Sequence, residues 1–163
     1  MVILALSTMQ ALKLLDAEHT TVYVGPISTI TFYSTTSASS HADTTAYLQE
    51  QVDAIVAANP WLAGRIKSGW FMSNLTLEFG PNPSKIVVEE AQLPHLSRQL
   101  DYTEIVNMCS PFDVVHGTTL VNSEYPMLRV TWITISKSQA ALYFSLSHVV
   151  ADGYTYYRDL WHA

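Results

Sequence analysis

With 163 residues, 48% of them hydrophobic and 13% charged, the chain can bury one sizeable core, which excludes a disordered or low-complexity polypeptide. A net charge of −6, with only eight Lys and Arg set singly along the chain, excludes a basic nucleic-acid-binding face and a polybasic membrane-surface site. The single cysteine, Cys109, excludes an internal disulfide and fits a reducing, cytoplasmic setting.

The stretch Met1-Val2-Ile3-Leu4-Ala5-Leu6 lacks a basic flank and is too short for a secretory or spanning segment, so no membrane span is expected. Residues 9–15 read as a short helix. Residues 21–24 and 27–33 read as strands separated by Gly25-Pro26, and the Ser/Thr-rich residues 34–40 as a connecting loop. Residues 43–58 are the strongest helix: Leu48, Val52, Ile55 and Val56 fall on one face, Asp43 can cap the start, and Asn59-Pro60 stops it. A hairpin is expected around 69–79, a break at Gly80-Pro81-Asn82-Pro83, a strand at 85–89 and a helix at 100–109, followed by a loop at Ser110-Pro111-Phe112-Asp113. Residues 128–135 and 140–147 form the clearest strand pair, joined through Ser136-Lys137-Ser138-Gln139. The aromatic residues 154–161 read as the first turns of a further helix. Hairpins outnumber βαβ units, so the fold class is α/β (α+β) with a mixed, largely antiparallel sheet flanked by helices.

The strand at 140–147 runs into Ser147-His148-Val149-Val150-Ala151-Asp152-Gly153. A His followed four residues on by Asp and then Gly arises by chance in about one chain in a hundred of this composition. A histidine at a strand end presents an imidazole from a fixed point, which is what a general base requires. The plain alternative is a core histidine bonded to backbone. Asp152 suits the N-cap of the following helix, and Gly153 supplies backbone room. Ser147 and His148 are not a nucleophile–base pair, because neighbours on a strand point to opposite faces. His148, Asp152 and His162 match no familiar ligand spacing, so no metal is expected.

These residues resemble a known group. Ser147–Gly153 is similar to the HxxxDG signature of the CoA-dependent acyltransferase superfamily, which includes chloramphenicol acetyltransferase, peptide-synthetase condensation domains and the plant-type BAHD acyltransferases. Asn59-Pro60-Trp61-Leu62-Ala63-Gly64-Arg65-Ile66 is similar to the P-x-LAGR segment of that group. Pro126-Met127-Leu128-Arg129-Val130 is similar to its P-L-L-R-V strand, and residues 154–161 to the helix after the signature. Ser147 stands where condensation domains carry a first histidine, which leans the resemblance towards BAHD-like, hydroxyl-directed enzymes.

The resemblance implies a chloramphenicol acetyltransferase-like lobe over residues 1–163, the N-terminal one of two, with the second lobe and its DFGWG segment not present. It implies catalytic roles for His148 (general base) and Asp152, the latter fixed by an arginine, Arg65 or Arg129. It implies substrate contacts at Ser147 and Gly153. Acyl-CoA would be a co-substrate, with no tightly bound cofactor, and a small-molecule hydroxyl or amine the acceptor. The partner would be a second lobe or another copy of the chain. The competing expectation is a lobe that does not turn over and serves as a binding or assembly module.

Overall fold

A computed structural model describes residues 8–34, 41–70 and 74–151. Two β-sheets and four α-helices are found there. The larger sheet has the order β2 (Ile27–Ser34), β7 (Gln139–Leu146), β6 (Leu128–Ser136), β5 (Glu89–Gln92). Its first three strands are antiparallel and β5 lies parallel to β6. The smaller, antiparallel sheet has the order β1 (Gln10–Lys13), β4 (Thr76–Phe79), β3 (Arg65–Lys67). The chain is therefore α/β with a mixed, largely antiparallel pairing, as its sequence implies.

Strand β7 is the centre of the molecule. It pairs along its whole length with β2, from Ile27↔Leu146 to Ser34↔Gln139, and with β6, from Leu128↔Leu146 to Ser136↔Gln139. Alternation sends Phe144 and Leu146 to one face, where with Val130 and Trp132 they pack on Val52, Ile55 and Val56 of α2 (His41–Ala58). Ala141 and Tyr143 go to the other face, with Ile133, Leu96 and Cys109, the last residue of α3 (Tyr102–Cys109). A sheet covered on both faces needs apolar side chains at both parities, which accounts for the near-continuous burial of β6 and β7. The smaller sheet has its own core, built from Ile66, Leu77 and Phe79 with Val22, Met127 and Val149. Trp61 and Val150 touch this core and the α2 core alike, and join them.

Several elements depart from the sequence reading. Residues 9–15 hold strand β1 where a helix is expected, because pairing with β4 places Leu12 opposite Leu77 and outweighs weak helical periodicity. Residues 21–24 are not a strand. They end α1 (Asp16–Thr21) and turn, with Tyr23 N donating to Thr20 O and Val24 N to Thr21 O. The Glu18 carboxylate accepts from Leu15 N and starts that helix. Asp43 stands in the first turn of α2, which begins two residues earlier, at His41. The strand expected at 85–89 is displaced to Glu89–Gln92, the stretch in register with Thr131–Thr134 of β6. The hairpin at 69–79 uses β3 and β4, with Asn74 in the left-handed region at φ 54°. α3 opens on a reciprocal cap between Asp101 and Glu104. Among the described residues no helix is long and apolar enough to cross a membrane.

Candidate functional site

β7 ends at Leu146, but Ser147 N still donates to Met127 O at 2.8 Å, so the backbone stays tied to the sheet as it leaves it. Val150 N donates to Ser147 O at 3.3 Å, closing a four-residue turn with His148 at its second position. Ser147 Oγ accepts from Val149 N at 3.3 Å and reinforces that turn from within. Ser147, Val149 and Ala151 are 2%, 2% and 5% exposed, whereas His148 is only half-buried. His148 is thus a partly exposed member of the turn, and its two sequence neighbours, Ser147 and Val149, are locked into the core. Its Nδ1 is enclosed and has no hydrogen-bond partner among the described residues. Leaving a buried polar atom unpaired costs about 1–3 kcal/mol, and such atoms call for an explanation other than stability.

The other sequence-selected residues divide into two groups. Asp152 and Gly153 lie outside the described residues, as does the 154–161 segment. Arg65 donates through Nε to Glu124 Oε2 at 3.1 Å and through Nη1 to Gly64 O at 2.9 Å. Arg129 grips both oxygens of Glu89, at 2.8 and 2.6 Å, while its Nη1 reaches Pro111 O and Asp113 O at 2.9 and 2.7 Å. Its guanidinium is held charged first by the Glu89 hydrogen bond, against some desolvation. Arg129 accordingly straps the 111–113 loop to β5, across the sheet edge. Neither arginine is brought to His148 by any bond among the described residues.

Two groups were not singled out by the sequence. Asp113, read only as part of a loop, is the hub of a polar network on the face of β7 away from α2. Its Oδ1 accepts from Tyr143 Oη at 2.6 Å and lies 2.6 Å from Ser28 Oγ, which is 2.9 Å from Ser145 Oγ; Val114 N donates to Ser145 Oγ at 3.0 Å. Burial, then the bond to Asp113, pushes the Tyr143 hydroxyl well above its ordinary value. A signal for this hub is the polar pair Ser28 and Ser145, which the register sets directly opposite each other. His19, on α1, has an enclosed Nε2 with no hydrogen-bond partner among the described residues, and nothing in its sequence context marks it.

Two cavities flank the first core rather than His148. One of about 320 Å³ is lined by Leu62, Arg65, Lys85, Glu89, Glu124 and Arg129 among others, and a second of about 290 Å³ shares Arg65, Ser84 and Glu124 with it. His148 lines neither. Among the described residues no cluster of three His, Cys, Asp or Glu could hold a metal ion.

No family model matches the chain, and neither does any curated protein. Solved structures do. The starter condensation domain of the rhizomide synthetase RzmA aligns with a TM-score of 0.65 at 15% identity, over 94% of this chain and 36% of that one. F. graminearum TRI101 in complex with ethyl coenzyme A aligns with a TM-score of 0.61 at 13% identity, over 89% of this chain and 36% of TRI101. A condensation domain of chain release from the enacyloxin polyketide synthase aligns with a TM-score of 0.57 at 11% identity, over 99% of this chain and 32% of that one. The fold is the one these TRI101 and condensation-domain structures share, and the chain spans about a third of their length.

Proposed function

We propose that this chain is the general-base-bearing lobe of an acyltransferase that moves an acyl group from a coenzyme A or carrier-protein thioester to a hydroxyl or amine. The carrying observation is His148: a half-buried imidazole in the turn just past β7, set between the buried Ser147 and Val149. Position precedes pKa in the making of a general base. With Nδ1 enclosed, Nε2 is the nitrogen left to meet substrate. The acceptor's O–H or N–H proton passes to Nε2 as the acceptor atom attacks the thioester carbonyl. The tetrahedral intermediate collapses with rupture of the C–S bond, and the imidazolium returns the proton to the departing thiolate. Ser147 shapes the turn. Asp152 and Gly153 stabilise the chain just beyond it, with an arginine of the chain or of its partner lobe facing Asp152. Acyl-CoA acts as co-substrate in a cytoplasmic enzyme with no resident metal or cofactor, and a second lobe or another copy of the chain completes the cleft.

Release of free thiol from acetyl-CoA in the presence of hydroxyl and amine acceptors tests this. His148→Ala lowers the rate by about 10²–10⁴-fold with the fold intact by circular dichroism. A rate unchanged in that variant removes His148 from the mechanism.

One observation favours a second reading, a lobe that binds or assembles without turnover: neither described cavity reaches His148. Coenzyme A binding measured by calorimetry, with no thiol release under any acceptor, supports that reading over the first.

A further inference from the structure

Gly117 opens α4 (Gly117–Leu120), directly after its cap residue His116. Its φ lies outside the left-handed region, so no backbone need explains a glycine there, and alanine has the better helix propensity. The reason is space. A Cβ built on Gly117 would stand 2.5 Å from Val22 O, 2.8 Å from Val22 Cα and 3.0 Å from Val149 Cγ2. Two of these three atoms are backbone and cannot swing aside. The end of α1 and the start of α4 therefore touch only because the side chain is a hydrogen atom. The third atom belongs to Val149, the next residue after His148 in the turn. Val22 and Val149 are 0% and 2% exposed, so neither has room to retreat.

We infer that Gly117 is a positioning residue for His148: its bare Cα seats the 147–150 turn against the end of α1 and thereby sets where the imidazole stands. The inference rests on His148 being the working group of the site, but the contact chain itself does not. An added methyl must part α4 from Val22 and presses on Val149 as well. The displacement passes through one peptide bond to His148. Shifts of about 1 Å at a reacting group cost about 100-fold in rate.

The test uses the whole chain and two readouts. In Gly117→Ala the His148 imidazole ¹⁵N and ¹H resonances move, while those of His95, which has no part in this contact, stay in place. Turnover with acetyl-CoA drops by about 10–100-fold in kcat, with KM changed less than about twofold. Adding Val149→Ala relieves the contact with Val149 and restores part of both. Val149→Ala alone, which keeps Gly117, covers the case in which Gly117→Ala does not fold: it also shifts or broadens the His148 signals. Wild-type His148 resonances in a folded Gly117→Ala protein, or in Val149→Ala should the first not fold, overturn the positioning role. Displaced resonances with no change in a measurable rate leave the contact standing and count instead against His148 as the base.

Discussion

Replacing Asp113 with alanine removes the acceptor at the centre of the network that closes the 111–113 loop onto β7. Tyr143, 6% exposed, donates to Asp113 Oδ1 over 2.6 Å, and the Ser28 hydroxyl stands beside it as a weaker partner. Stranding that hydroxyl costs about 1–3 kcal/mol. Ser28 loses the same oxygen but keeps Ser145 Oγ at 2.9 Å, so its share is small. A loss of about 2–3 kcal/mol corresponds to a drop in Tm of about 4–12 °C for a domain of this size. Urea unfolding of wild type, Asp113→Ala, Tyr143→Phe and the double variant apportions the effect. Once the phenol is gone, removing the carboxylate no longer strands Tyr143, so the two losses fall short of additivity by at least about 1 kcal/mol. Losses that add to within about 0.5 kcal/mol would show that the carboxylate and phenol do not act together, and the network would carry no stability of its own.

Gly64→Ala places a Cβ 2.8 Å from Glu78 O, 2.9 Å from Leu77 Cδ1 and 3.0 Å from Trp61 O, so β3 and the preceding 3₁₀ turn must separate from β4. Scanning calorimetry should show a loss of about 1–3 kcal/mol, and an unchanged Tm would refute the clash. Alkaline pH should weaken the fold through two buried acids. Burial, with Asp113 adding to it, pushes the Cys109 thiol from 9.0 up to about 11, and the Tyr143 hydroxyl is raised as well. The unfolded chain then releases protons first, so the stabilisation is complete below about pH 9 and fades as pH climbs through 9–11. The urea midpoint should fall over that range, and less in Cys109→Ala; identical slopes in the two proteins would remove the thiol from the account.

The α2 helix, the β6–β7 hairpin and the class of the fold were legible in the chain because each rests on local chemistry: one apolar helix face bounded by a proline, and two β-rich runs flanking a polar turn. The strand end that carries His148 was legible for the same reason. β1, α1 and β5 were not. Each is short, and its state is settled by what lies beside it: β1 by register with β4, β5 by a parallel edge of β6 that comes from about forty residues further on.

The site divides along the same line. The chain alone determined that a histidine stands at the end of a strand, since the β-rich apolar run at 140–146 leads directly to it. Only the tertiary structure decided how that histidine is held, because the Ser147 turn, the Gly117–Val22–Val149 contact and the Asp113 network join residues that are up to 127 positions apart (Val22 to Val149). Such contacts depend on distances between backbones, and those distances are set by packing, which leaves no periodic mark along a sequence.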